Sequence, residues 1–251
     1  MSDVAAVVIW TPGDPDPQPC LDSLAPQVDE LVLMANPGGA PLADGARLIA
    51  NEHTLGFGAN INRGVAETRA PYVVASNSDI EAAEGCIAAL REFAETHERC
   101  GIAAPELRYP DGRRQPSRRS FPTVRGTIVR RTPLRRLLKP QERQRRHYLL
   151  DEHPTEPTRS DWLLGAFLLL RREMLEELGG FDEGYRLYGE EIDLAYRAHK
   201  AGWERWYVPH AVAVHHHQAV TDKRLFTRRT IWHWRSILRF VRKHPESLRA
   251  L

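Results

Sequence analysis

Cysteine is scarce in this sequence: Cys20, Cys86 and Cys100 are the only three in 251 residues. They are odd in number and never at CxxC spacing, so neither a disulfide framework nor a thiolate zinc site is supported. Reduced thiols and a cytoplasmic setting are the expectation. Long apolar runs are lacking too. None approaches the length that crosses a bilayer, and the N-terminus lacks the charged-then-apolar order of a secretion signal. The net charge is only +2, which by itself implies no polyanionic partner. What remains is an ordinary globular composition, 42% hydrophobic and 27% charged. The chain is long enough to bury a full core as one large α/β domain or two small ones.

Strand and helix patterns alternate. Val4 to Trp10 (VAAVVIW), Glu30 to Ala35 (ELVLMA), Arg47 to Ala50 and Tyr72 to Ser76 (YVVAS) read as strands, three of them apolar enough for burial on both faces. A short helix is expected near Cys20, another over Ala59 to Thr68 with Ile61 and Val65 inward, and an amphipathic one over Ala83 to Thr96. Further strands follow at Gly101 to Leu107, Asp161 to Leu170, Glu204 to Val208 and Ala211 to His215, with helices over Arg172 to Leu178 and from Glu190 to near Gly202. This alternation predicts an α/β fold with a doubly wound, mostly parallel central sheet flanked by helices.

Several residue types stand where such sheets carry chemistry. Asn77-Ser78-Asp79 closes the fourth strand, and open α/β sheets bind ligands at the carboxyl ends of their strands. Asp79 is a hard oxygen ligand suited to Mg²⁺ or Mn²⁺; the alternative is a cap for the helix that follows. Gly165, inside the apolar run DWLLGAFLLL, marks close approach of a ligand to the backbone. Asp182, Glu190, Glu191 and Asp193 crowd one short acidic stretch. The helix dipole and an Asp193–Arg197 pair at i,i+4 account for part of that crowding. In His215-His216-His217 the side chains alternate across the strand, so either the outer pair or the middle ring can reach one site. Gly56 and Gly58 form a lone GxG without a following Lys-Ser/Thr or a third glycine, which fits structural glycines better than a phosphate loop.

The stretch from Arg108 to Arg146 is different in character, with thirteen arginines and Lys139 against Asp111 and Glu142, broken by five prolines. It defines a basic insertion over residues 108–160 that could meet phosphates, an anionic membrane or nucleic acid, or form a solvated face; an acceptor-side or membrane-proximal loop is the expectation. Its shortage of aromatics argues against single-stranded nucleic acid held by stacking. Residues 218–251 contain a basic amphipathic helix over Leu225 to Val241. Its apolar stripe is Ile231, Trp234, Ile237, Leu238 and Val241, beside Arg228, Arg229, Arg235 and Arg239. Packing on the domain and lying in a membrane interface are both open to it.

Taken in order, NEHTLGFGANINRG, YVVASNSD, LLGAFLLLRREMLEELGGFDEGYRLYGEEIDLAYRAHKAGW and YVPHAVAVHHH resemble the family 2 glycosyltransferases. The resemblance is to the branch that includes rhamnosyltransferases and galactofuranosyltransferases, and it runs through residues 1–217. It implies a GT-A fold and an inverting transfer of a sugar from a nucleoside diphosphate donor, with dTDP- and UDP-sugars favoured. The acceptor would be a carbohydrate, a lipid-linked intermediate or a small molecule. By position it implies Asp79 and His215 at a Mn²⁺ or Mg²⁺ site, and the pair Glu190-Glu191 at the catalytic base, with Glu191 favoured. It further implies donor contacts from Asn36, Gly56, Phe57, Asn60, Asn77, Ser78, Gly165 and Ala166, and acceptor contacts from Asp182 and Tyr188. No nucleic-acid partner is expected; peripheral membrane contact and a homodimer are open. The chain departs from the family where Asn36-Pro37-Gly38 replaces an aspartate-bearing turn and Trp10-Thr11-Pro12 ends the first strand. Two rival readings are a catalytically degenerate sugar-nucleotide binder and a nucleotidyltransferase; the stretch TPGDPDPQ lacks the Gly/Lys signature of the latter.

Overall fold

A computed structural model describes residues 3–39, 41, 43–121, 149, 152–186, 189–216 and 228–248. Four parallel strands make one half of the main sheet: β1 (Val4–Trp10), β2 (Glu30–Ala35), β3 (Arg47–Ala50) and β4 (Tyr72–Asn77). The other half contains β5 (Ile80–Ala82), β6 (Cys100–Arg108), β8 (Thr158–Arg159), β10 (Phe167–Arg171) and β11 (Glu204–His215). The strand order is β3-β2-β1-β4-β10-β6-β11-β5, with β8 on β11. Strand β10 runs antiparallel to both neighbours, and β6 and β11 are parallel to each other. A separate two-stranded ribbon pairs β7 (Arg118–Arg119) with β9 (Trp162–Leu163). The expected doubly wound, mostly parallel sheet is present.

The period-two alternation of strands divides the core into two layers. From β1, Val4, Ala6 and Val8 pack to one side with α1 (Gln18–Leu24) and α3 (Cys86–Thr96). Val7 and Ile9 pack to the other side with α2 (Phe57–Ala66), α4 (Arg172–Leu178) and α5 (Glu190–Lys200). A Cβ on Gly64 would stand 2.3 Å from a Val7 methyl, so α2 can lie this close to β1 only because that position is glycine. All three cysteines are buried and free, and burial pushes each thiol up to about 12.

Three sequence expectations need correction. The run Asp161 to Leu170 is two strands, β9 and β10, separated by Leu164-Gly165-Ala166. The break diverts backbone bonding: Leu164 N–H donates to the Ser117 carbonyl, and Asn77 N–H to that of Ala166. Conversely, Glu204 to His215 is a single strand with a register shift between Val208 and Val212. Pro209 lacks an N–H and reads as a strand end, but here it produces an irregularity instead. Asp79 does not cap α3, whose preceding residue is the left-handed Gly85; it leads into β5. Finally, on α6 (Arg228–Lys243), where packing and an interface were both open, the stripe is not buried as a whole. Phe240 and Ser236 are buried, while Trp234 and Leu238 stand out in solvent.

Among the described residues no helix is long and apolar enough to cross a membrane. Most of the arginine-rich insertion lies outside the described residues, but its neck is tied. Trp162 Nε1–H donates to the Ser120 carbonyl (3.0 Å), Phe121 N–H to Asp161 Oδ2 (2.8 Å) and Arg118 Nη1 to Glu152 (2.9 Å). Arg108 and Arg114 both clasp the buried Glu106 at 2.7 Å, and Arg113 pairs with Asp111. The described arginines there are thus largely engaged within the fold.

Candidate active site

Three groups of side chains converge on the edge where the parallel strands end. The first grows from the turn between β4 and β5. Asp79 Oδ1 lies 3.3 Å from His215 Nε2 at the end of β11, and His216 N–H donates to the Asp79 carbonyl. Gln115 Oε1 sits 2.8 Å from His215 Nδ1. If Nδ1–H donates to that amide oxygen, the basic Nε2 lone pair faces the Asp79 carboxylate. An imidazole nitrogen and a carboxylate oxygen converging in this way form a donor set that fits Mg²⁺ or Mn²⁺. Two protein ligands suffice where phosphate oxygens and water complete the sphere, and no group of three or more His, Cys, Asp or Glu ligands occurs among the described residues. His216 turns instead to Glu81 (2.8 Å), and His217 lies outside the described residues.

The second group stands beside the first. The Asn77–Ala166 backbone bond holds the end of β4 against the start of β10, so Gly165 emerges next to the Asp79 turn. Ser78 and Ala166 are buried there. A Cβ on Gly165 would lie 3.5 Å from the Glu191 side chain and 3.8 Å from the Phe57 ring. Glu191 thus packs its methylenes over Gly165. Its Oε2 accepts the Gly189 N–H at 3.2 Å, across the left-handed turn (φ 104°) that opens α5. Burial raises the Glu191 pKa above the ordinary glutamate value of 4.5, with the Gly189 N–H and the nearby Arg119 pulling the other way. Glu190 is buried at the same helix start.

The third group is a frame of neutral amides. Asn36 Nδ2 donates to Thr11 Oγ1 (3.0 Å) and to the Leu55 carbonyl (3.2 Å), while its Oδ1 accepts from Leu55 N–H (2.9 Å) and Asn51 Nδ2 (3.1 Å). That uses all four of its hydrogen-bonding positions. Asn60, fully buried, accepts from Asn51 (2.7 Å) and donates to the Leu55 and Gly56 carbonyls. Arg63 closes the frame on Asn51 at 2.8 Å. Gly56 lets this loop meet the acidic stretch, since a Cβ there would be 2.9 Å from the Arg186 carbonyl oxygen. Phe57 packs edge-on against Phe181.

The acidic stretch is held from behind by α6. Asp182 accepts from Arg239 (2.6 Å), Lys243 (2.7 Å) and Gly184 N–H (2.9 Å), and it stays ionised well below the ordinary range. Asp193 is fully buried and meets Arg197 (2.7 Å), His244 (2.8 Å) and Lys243 (3.0 Å). Burial opposes its charge, but these cations outweigh burial and its pKa is lowered. The Asp193–Arg197 pair expected from the sequence is present. Asp182, expected either to tie down its loop or to contact the acceptor, ties the loop to α6; Tyr188 lies outside the described residues. Sequence reasoning missed Gln115, Asn51, Arg63, Arg119 and His244. Asn51 and Arg63 lie inside the quoted NEHTLGFGANINRG run, whereas nothing local singles out Gln115 among arginines.

The sequence profile of glycosyl transferase family 2 matches residues 23–179. The N-acetylglucosaminyl-diphospho-decaprenol L-rhamnosyltransferase of Mycobacterium tuberculosis is 32% identical over 300 aligned positions, covering 100% of this chain and 92% of that one. Among solved structures, glucosyl-3-phosphoglycerate synthase from M. tuberculosis, in complex with Mg²⁺ and UDP, superposes with a TM-score of 0.59 at 19% identity, over 95% of this chain and 79% of that one. GalNAc-T7 with UDP, GalNAc and Mn²⁺ gives a TM-score of 0.68 at 16% identity over 96% of this chain, which spans about half (48%) of that longer protein. At such identities the structural likeness speaks for the fold, which is GT-A, and the profile and the relative speak for the lineage: this chain belongs to glycosyl transferase family 2.

Proposed function

We propose that this protein transfers a sugar, with inversion, from a dTDP- or UDP-sugar to a hydroxyl of a lipid-diphosphate-linked saccharide. The observation that carries the reading is the packing of Glu191 over Gly165, at the strand break that the Asn77–Ala166 backbone bond ties to the turn bearing Asp79. A base, an unencumbered backbone and a cation site then stand in the order in which acceptor, sugar and diphosphate would lie. The M. tuberculosis relative, named for rhamnosyl transfer to a decaprenol-linked diphosphate sugar, supports the acceptor class. A polyprenyl-linked acceptor is held in a bilayer, so the enzyme would work at a membrane surface.

Glu191 takes the proton from the acceptor hydroxyl as that oxygen attacks the anomeric carbon. Its raised pKa makes it a stronger base than a solvated glutamate, and the Gly189 N–H fixes its orientation. Gly165, lacking a side chain, lets its backbone lie close to the Glu191 side chain and the Phe57 ring. A single displacement inverts the anomeric centre and needs no covalent carboxylate partner. Asp79 and His215 would hold a divalent cation, which supplies charge stabilisation to the departing nucleoside diphosphate. Gln115 keeps the His215 ring oriented for that task. Asn36 has no free valence with which to read a base, so it and Asn60 shape the donor loop instead.

The test compares Glu191→Gln with Glu190→Gln. Glu191→Gln should lower transfer by about 10²–10⁴-fold while calorimetry still detects metal-dependent nucleotide binding. It should also raise the thermal midpoint at neutral pH. A carboxyl whose folded-state pKa is raised binds its proton more tightly in the native state, so its contribution to stability falls as pH rises through that value. Should Glu190→Gln be the dead variant and Glu191→Gln remain active, the base is assigned to the wrong residue. If none of UDP, dTDP and GDP binds with Mn²⁺ to folded protein, the transferase reading gives way to a degenerate binder.

A further inference from the structure

The last helix has two working faces. Its inner face is committed: Phe240 packs edge-on against Tyr196 (5.5 Å), and Arg239 and Lys243 are spent on Asp182 and Asp193. Its outer face is partly open to solvent. Trp234 and Leu238, one turn apart, are 39% and 48% exposed, and Leu48 is the only other large hydrophobic so exposed among the described residues. Ile237 and Val241, half-buried, continue the same apolar row at i+3 and i+7. Arg235 and Arg242, a further two turns apart from each other, are exposed along its flank. The sequence from residue 228 to 243 contains six basic residues and no acidic one.

We propose that this face of α6 docks on an anionic lipid bilayer, with the helix lying in the interface plane. Tryptophan beside arginine is the composition that such a surface favours: the indole sits at the headgroup level, the leucine reaches the acyl boundary, and the guanidinium groups meet lipid phosphates. A buried core would have taken Trp234 and Leu238 inward. A purely solvated face would not carry them as neighbours. The charge complementarity selects a bilayer over a second copy of this chain, whose own α6 would oppose like charges. The same helix holds the acidic stretch that leads to Glu190-Glu191, so docking would bring the site towards the bilayer plane. The inference rests on the proposed function only for the location of the acceptor.

The experiment is co-sedimentation of the full chain with vesicles of mixed phosphatidylcholine and phosphatidylglycerol, against phosphatidylcholine alone, at low and high salt. No sugar nucleotide is present, so loss of docking and loss of transfer are read separately. The wild type should pellet with the anionic vesicles and be released by salt. The double variant Trp234→Ser/Leu238→Ser, and separately Arg235→Glu/Arg242→Glu, should bind at least tenfold more weakly. Both should keep an unchanged circular dichroism spectrum and thermal midpoint, because the altered side chains are exposed. Three outcomes would overturn the proposal: equal binding to neutral and anionic vesicles, wild-type binding by both double variants, or conversion of a wild-type dimer to monomer by Trp234→Ser/Leu238→Ser with vesicle binding unaffected.

Discussion

The two sides of the active-site edge are held by opposite chemistry. On the side of β1 to β3, the loop carrying Leu55 and Gly56 is fixed by Asn36, Asn51 and Asn60, whose amides satisfy one another and the backbone, with Arg63 as the one cation. On the side of α5 and α6, the acidic stretch is fixed by charges: Asp182 and Asp193 against Arg197, Arg239, Lys243 and His244. Amides hold a loop without adding negative charge where the proposed donor brings two phosphates. The charged lattice is stronger where its geometry is complete, but it depends on pH and fails when one member is lost. Rigidity near an anion site and rigidity near a base have been reached by different routes.

The sharpest way to break this contrast is Asp193→Asn. Removing one partner of a buried ion cluster leaves the others uncompensated and typically costs ~3–5 kcal/mol, so the thermal midpoint should drop markedly. In the wild type the folded-state pKa values of Asp182 and Asp193 lie below their ordinary 3.8. The stability they contribute is therefore complete above that value and is lost as pH falls through the depressed values. Acid unfolding followed by circular dichroism should show this loss in the wild type, and it should be blunted in Asp193→Asn. A smaller effect is expected from Asn36→Ala, about 1–3 kcal/mol, because it strands the Leu55 N–H and Asn51 amide. That loss should be nearly independent of pH between 4 and 8, on the order of the range where amides do not titrate. A pH-dependent loss would erase the distinction between the two sides. The smallest change is Gln115→Ala: unfolding midpoints should hardly move, while Mn²⁺-dependent nucleotide binding weakens by about tenfold as His215 loses its orienting partner.

Much of the sheet could be read from the chain, because β-branched runs such as VAAVVIW and YVVAS leave little choice about burial. The positions of Asp79, Gly165, Glu191 and His215 were legible as an ordered set, and the structure brings Asp79 to His215 and Gly165 to Glu191. What escaped was contact across long sequence separations. His244 reaches Asp193 from another helix, and Gln115 reaches His215 from within an arginine-rich run, so no local period or spacing reports either. Trp234 and Leu238 were assigned to an apolar stripe by period, with its direction left open. A helix alone does not say which side the protein occupies; the lysine and arginines that bind Asp182 and Asp193 decide it.

The reversed strand β10 has a consequence for how this protein can change. Because β10 runs against β4 and β6, the chain leaves β6 at Arg108 and starts β10 at Phe167 on the same edge, touching the sheet between them at β8. The whole excursion between them is a detour that begins and ends beside the active site, closed at its neck by the β7–β9 ribbon. The ribbon therefore anchors both ends of the excursion, so a change of length between Phe121 and Glu152 should leave the pairing of β7 with β9 unchanged.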